Sequence, residues 1–501
     1  MKIKKKGRLR IGLICLLIFG SLTVLPVSGS TGVQAHTSYV YTQDGEDVEI
    51  PDVYTIDREI FLQDAEGTVA NEPCDMSLAA DGTIVIADTG NNRILLLNNT
   101  GDLTALSTFI AADGEQMSLN EPEGIFACTD GTLLIADTQN GRILHVDRNG
   151  SLLKQYGRPD MLGVDSEPYL PIKIAQDSYG RLYIVARNIN RGIICLDPEG
   201  LFVGYVGAPR VVPDIWELLW RRISTKAQKE QMTQYASTEY NNVFVDEKNF
   251  VWGTISALDA ADILGAVQNH DTSGQITPVV KINAGNTDVL RRNGSYAPLG
   301  DLRFDDEPSR IVDVALGLGG TYSLLDFQRG RVFTYDENGE LLYAFGGLGD
   351  GYGDLHAPVA MFYQNEKLCI LDRTRGSILI YKPTDYGRLV LEAVVAQHSG
   401  DFENSYRLWA KVAEANSNFE YAFIGMGNVC ISNKDYQTAL KYFQYANDME
   451  SYSNTFELLR KQYMASAFSY IFFGLSALLV IVIVTKIAVR VIRYVKGEKV
   501  E

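Results

Sequence analysis

An eighteen-residue stretch returns 49 positions later, and this self-similarity limits the fold more than any other feature of the chain. The segment IADTGNNRILLLNNTGDL, starting at Ile86, recurs as IADTQNGRILHVDRNGSL, starting at Ile135; Pro73 with Pro122, Gly82 with Gly131 and Arg93 with Arg142 keep the same register. Another step of 49 reaches Pro171, Gly180 and Arg191, although Ala186 stands where Asp88 and Asp137 stood. Degenerate copies follow over residues 244–254, 320–339 and 366–383, which makes six. Each copy contains short β-rich stretches split by Gly, Asn and Asp turns, as in one antiparallel sheet of about four strands. A single sheet of this kind cannot bury both faces, so neighbours must stack around an axis. The expected fold is therefore mainly β, a six-bladed β-propeller over residues 36–387.

After Lys382 and Pro383 the chain turns to helical periodicity, leaving the sixth copy without a fourth strand. Residues 53–62 (VYTIDREIFL) are strand-like and precede the first complete copy, so they are expected to close the last blade and remove its open edge. The pattern P-x-x-(apolar), D-G-x-(apolar)-x-(apolar)-A-D-x-x-N-x-R-(apolar) resembles the NHL repeat, closely in the first two copies and least in the fourth; the resemblance covers residues 53–383. Six-bladed NHL propellers serve mainly as binding platforms, and the resemblance implies that role here. Some relatives of the fold are metal-dependent lyases or lactonases, which supplies the alternative.

The ends of the chain place it at a membrane. Lys2, Lys4, Lys5, Lys6, Arg8 and Arg10 precede an uncharged apolar run, the layout of a secretory signal over residues 1–35, with cleavage after Ala35; an uncleaved anchor is the competing reading. Near the other end, residues 465–485 carry no charge and are long enough to cross the hydrocarbon layer as a helix. Lys486, Arg490, Arg493, Lys496 and Lys499 follow, so the positive-inside rule puts the tail, residues 486–501, in the cytoplasm and the propeller outside. Setting aside the six basic residues before position 36 and the tail leaves 34 Lys and Arg against 60 Asp and Glu, a balance of −26. Such an acidic ectodomain repels phosphate backbones, which excludes nucleic acid as a partner. Of six cysteines, Cys15 falls in the signal and the other five cannot all pair, though spacing leaves a Cys74–Cys128 bridge open.

Residues 388–455 are expected to form two TPR-like helical hairpins, because Asp401 and Asp435, and Trp409 and Phe443, lie 34 residues apart, with Gly427, Ala439 and Ala446 at small positions of the second unit. Two units are fewer than such arrays need, so support is expected from the propeller, from the membrane helix or from a partner. Residues 456–464 read as a juxtamembrane linker.

Candidate site residues fall in two groups. The insertion between the third and fourth copies contains an expected helix over 214–238, in which Trp216 and Trp220 share a face beside Arg221; aromatic and Arg enrichment is the composition of a binding hot spot, and packing on the propeller rim is the competing reading. Asp75, Glu123, Lys173 and Asn241 occupy or approach the position before the innermost strand in successive copies, around the axial channel. Asp88, Asp137, Asp326 and Asp372 recur at one position of four blades, and recurrence favours structure over catalysis: each is expected to accept N–H bonds from the following turn and to face the Arg five residues on (Arg93, Arg142, Arg331). The five histidines show no metal-ligand spacing, and no nucleophile elbow, phosphate loop or Cys-x-x-Cys pair is present, so no catalytic residue, metal or cofactor is assigned. The sequence points to a membrane-anchored extracellular recognition or scaffold protein that binds a polypeptide or glycan, associated with a transport or envelope-assembly complex. The alternative is a metal-dependent lyase or lactonase working in the central channel.

Overall fold

The computed structural model describes residues 37–111, 113–160, 168–207, 239–256, 258–305 and 307–496, all within one compact unit, His36–Glu501. Three strands come first, β1 (Tyr39–Tyr41), β2 (Asp47–Glu49) and β3 (Tyr54–Phe61). The first blade follows as β4 (Asp75–Leu78), β5 (Ile84–Asp88), β6 (Arg93–Leu97) and β7 (Leu103–Leu106). A small hairpin, β8 (Phe109–Ile110) and β9 (Gln116–Met117), leads to the second blade, β10 (Pro122–Ala127), β11 (Leu133–Asp137), β12 (Arg142–Val146) and β13 (Leu152–Tyr156). The third is β14 (Leu170–Gln176), β15 (Leu182–Arg187), β16 (Ile193–Leu196) and β17 (Phe202–Val206). In the fourth, β18 (Tyr240–Val245) and β19 (Val251–Ile255) are followed by helix α1 (Ala260–Gln268) and then β20 (Val279–Ile282). The fifth is β21 (Ile311–Leu316), β22 (Tyr322–Asp326), β23 (Arg331–Tyr335) and β24 (Leu341–Phe345). The sixth contains β25 (Pro358–Gln364), β26 (Lys367–Asp372) and β27 (Ser377–Pro383).

These blades form a ring: the first strands touch in the circuit β4, β10, β14, β18, β21, β25 and back to β4. Second strands such as β5, β11 and β22 are buried at every residue, because each blade is covered by a neighbour on both sides. Outer strands alternate instead, as in β13, where Leu153 and Gln155 face solvent. The segment before the first blade ties two others together. Strand β3 is the outer strand of the sixth blade, with Ile60 opposite Ile378 and Tyr54 opposite Pro383. Strand β1 adds to β24 of the fifth blade and pairs with β2, a hairpin that sequence patterning does not reveal. In the fourth blade Asn249 stands at the turn position held elsewhere by Gly82, Gly131 and Gly180, and it adopts their left-handed backbone at φ 62; Asn tolerates that region better than most side chains.

Among the described residues five helices follow the propeller: α2 (Asp385–His398), α3 (Phe402–Ala415), α4 (Glu420–Ser432), α5 (Tyr436–Tyr445) and α6 (Met449–Val495). The two Asp residues 34 apart are both N-caps, Asp401 accepting from Asn404 N and Asp435 from Thr438 N. Trp409 and Phe443 are fully buried, and each ring lies against a glycine of α4, Gly425 and Gly427, where any side chain would collide with it. The helices share a core with blades five and six, in which Tyr343, Phe345 and Tyr381 pack with Val390, Trp409 and Phe419. Tyr421 of α4 also donates to Asp336 in a turn of the fifth blade at 2.8 Å. Propeller contact thus supplies the support that two short hairpins lack.

Helix α6 runs without a break through residues 456–464, the stretch read from sequence as a juxtamembrane linker. Its 47 residues extend about 70 Å at 1.5 Å per residue. The most apolar 18-residue window has mean hydropathy 2.6 and none of it is buried, so this helix is long and apolar enough to cross a membrane.

Candidate functional site at the propeller axis

In five blades the first strand carries an irregularity at one place, between Pro122 and Gly124, Pro171 and Lys173, Tyr240 and Asn242, Ile311 and Asp313, and Pro358 and Ala360. Such a bulge inserts one extra residue and re-aims the side chains around it. Pairing with the second strand aligns six residues at one level of the ring: Asp75 opposite Ala87, Gly124 opposite Ala136, Lys173 opposite Val185, Asn242 opposite Thr254, Asp313 opposite Leu325 and Ala360 opposite Leu371.

Four of the six form a polar cluster. Lys173 Nζ lies 2.5 Å from Asp75 Oδ1, and the other Asp75 oxygen accepts from Ile125 N of the next blade at 3.0 Å. Asn242 Nδ2 donates to Asp313, whose second oxygen accepts from Met361 N of the next blade at 2.6 Å. Asp75, Lys173, Asn242 and Asp313 are only 7, 9, 4 and 7% exposed, so the axis is closed at this level. Gly124 permits the packing: a Cβ there would come within 2.7 Å of the Ile172 carbonyl oxygen and 3.0 Å of Lys173 Cα. Burial works against the Lys173 charge, but Asp75 and then Asp313 outweigh it and raise its pKa. Burial pushes Asp313 up to about 6 even though Lys173 pulls it down.

Of the residues singled out from sequence, Asp75 and Lys173 are brought into contact. Glu123 and Asn241 occupy the bulges one residue earlier, on the side of the axis where the first strands begin. There Glu123 holds Arg187 at 2.7 Å, while Asn241 donates to the Ile311 carbonyl at 2.8 Å and accepts from Thr254 Oγ1 at 2.6 Å. Cys74 lies at this mouth too, with Arg373 Nη2 3.3 Å from its sulfur, and burial raises the thiol's pKa despite the guanidinium. Sequence reasoning missed Gly124, Asn242 and Asp313. A signal existed: Asp75, Gly124, Lys173, Asn242 and Asp313 each lie thirteen residues before Asp88, Asp137, Ala186, Ile255 and Asp326. Trp216, Trp220 and Arg221, with the helix expected over 214–238, lie outside the described residues; that segment joins β17 to β18.

The recurring aspartates staple the blades. Asp88 accepts from Asn71 N at 2.7 Å and from Arg93 Nε at 2.6 Å, and Asp137 repeats this with Asn120 N and Arg142 Nε, each at 2.7 Å. The backbone donors in these two come from the loop before the first strand, not from the following turn as expected. Asp326 and Asp372 accept from both places, Asp326 from Arg310 N and Gln328 N, and Asp372 from His356 N and Arg375 N. Arg331 departs from the expectation altogether and pairs with Asp301 at 2.5 Å, because the segment between β20 and β21 carries Asp301 beside it, where Tyr39 of β1 also bonds the guanidinium. Thr89 and Thr138 each donate to the carbonyl of the following blade's Pro122 or Pro171 at 2.7 Å, which fastens one blade to the next.

The histidines are dispersed: His145 bonds Thr132, His270 stacks on Tyr296, His356 meets Asp350 and His398 meets Glu337. Among the described residues no three His, Cys, Asp or Glu side chains converge as metal ligands. The axial carboxylates do not fit a divalent cation either, since the Lys173 ammonium already bonds one and electrostatically holds the other. Cys74 and Cys128 are both free thiols, so the bridge left open by spacing is not formed.

No family model and no curated protein matches the chain. Solved propellers resemble it at low identity. Virginiamycin B lyase from Staphylococcus aureus is 11% identical with a TM-score of 0.39, over 66% of this chain and 99% of that one. A gluconolactonase from Xanthomonas campestris is 12% identical at 0.41, over 66% and 95%. A Bacteroides caccae protein of unknown function is 10% identical at 0.34, over 62% and 93%. Likenesses this distant carry no argument about activity.

Proposed function

We propose that this chain is a membrane-anchored recognition protein that binds an extracellular polypeptide or glycan through the propeller face where the first strands begin. The observation that carries the reading is the closed axis: Lys173, Asp75, Asn242 and Asp313 are buried against one another in two hydrogen-bonded pairs, which leaves the faces of the propeller as its contact surfaces. Repeats that resemble NHL units support a binding platform, and the capped, glycine-packed helices support a TPR-like spacer fused to the propeller. The basic residues that follow the apolar run, from Lys486 on, support a cytoplasmic tail and an outward propeller, with a transport or envelope-assembly complex as its associate.

Photo-crosslinking in the native membrane tests this. A probe at Thr374, exposed on the mouth side, is expected to yield a defined protein or glycan adduct, and a probe at Tyr179, 71% exposed at the opposite end, is not. Adducts from Tyr179 alone would move the binding face. Stoichiometric divalent metal in the purified chain would overturn the reading in favour of the metal-dependent lyase or lactonase.

A further inference from the structure

Four arginines on this face are paired with carboxylates: Arg93 with Asp88, Arg142 with Asp137, Arg187 with Glu123, and Arg375 with Glu59. Arg373 is not. Its Nε is sealed from solvent with no acceptor, and its described side-chain partner is the Cys74 sulfur, 3.3 Å from Nη2. Sulfur is a weak acceptor, whereas a guanidinium presents a planar fork of donors that matches a carboxylate. Cys74 does not neutralise the guanidinium, because it is a thiol whose S–H donates to the Glu72 carbonyl at 3.4 Å. Lys173 beneath is committed to Asp75.

We propose that Arg373 is the docking point for a carboxylate at the axial mouth, carried by a small organic acid or by a peptide. This rests on the mouth being the recognition face and deepens it by naming the chemistry recognised.

The adjacent thiol supplies the test on the full chain in detergent. Iodoacetate and iodoacetamide both alkylate a thiolate, forming a thioether as iodide leaves and the thiol proton passes to buffer; only iodoacetate carries a carboxylate. Mass mapping of the Cys74 peptide gives the ratio of the two rates, from which changes in thiol acidity cancel. Arg373→Gln is expected to lower that ratio about tenfold, the size of one charge-assisted bond, with Arg373→Lys in between. Cys128, Cys195, Cys369 and Cys430 are buried and, remaining unlabelled, report that the variant is folded. An unchanged ratio in folded Arg373→Gln overturns the proposal. Succinate and an N-acetylated tetrapeptide with a free C-terminus are then compared for slowing iodoacetamide at Cys74, against dimethyl succinate and the peptide amide. Protection by succinate alone assigns a small acid, protection by the peptide alone assigns a polypeptide carboxylate, and protection by neither overturns the proposal. Thr374 crosslinking that survives such a failure would leave the recognition reading standing without this site.

Discussion

Removing the Lys173 ammonium would leave Asp75 and Asp313 buried without the cation that acts on both. Breaking a buried pair from one side costs about 3–5 kcal/mol, whereas replacing all partners together is far milder. Lys173→Met is therefore expected to lower the thermal midpoint sharply, and Lys173→Met combined with Asp75→Asn and Asp313→Asn to recover much of the loss. The pH dependence has a definite sign. Asp313 has its folded pKa raised to about 6 from the ordinary 3.8, so the folded state binds more protons than the unfolded state between those values. Its contribution to stability is present below pH 4 and falls as pH rises towards 6. In melting curves from pH 4 to 7, Asp313→Asn should decline less across this window than the wild type; equal slopes would deny that the carboxyl titrates there. Asp75 and Lys173 were legible because they lie two regular steps apart, 98 residues. Asp313 was not, since the added residues before the fourth and fifth blades carry it out of phase. Glu123 and Asn241 drew attention instead of Gly124 and Asn242 because a bulge shifts facing by one residue, and strand alternation alone does not show where a bulge falls.

Elements were more readable than side chains. Strand β3 could be inferred by counting, as the sixth copy lacked an outer strand and an unassigned strand-like stretch preceded the first. The three-residue strands β1 and β2 are too short to carry a period, so their addition to the fifth blade was hidden. A chain beginning at residue 70 lacks both closing devices and is expected to unfold over a broader transition at lower temperature; a melt as sharp as that of the full chain would contradict closure by β3. Between the helices, Gly425 and Gly427 face Trp409 and Phe443 at distances no Cβ could share. Gly425→Ala and Gly427→Ala should each cost about 1–3 kcal/mol by overpacking, read as a lower thermal midpoint, while Gly265→Ala on α1, where a Cβ meets open space, should not destabilise.

At the scale of the molecule, one core joins propeller and helices, and one helix continues into the apolar run, so the propeller is carried on a rod without a flexible joint. The residues of α6 ahead of position 465 add about 24 Å of helix. In the proposed orientation, protease added to intact cells should digest the propeller while an epitope placed after Glu501 stays protected; the reverse pattern would invert the orientation. Cryo-electron microscopy of the full chain in lipid nanodiscs tests the central claim most directly. The expected map has six radial sheets, the sixth completed by β3, a filled axis at Lys173, and α6 passing unbroken into the bilayer. Five or seven sheets, an open channel at Lys173, or residues 465–485 folded back against the propeller would contradict it.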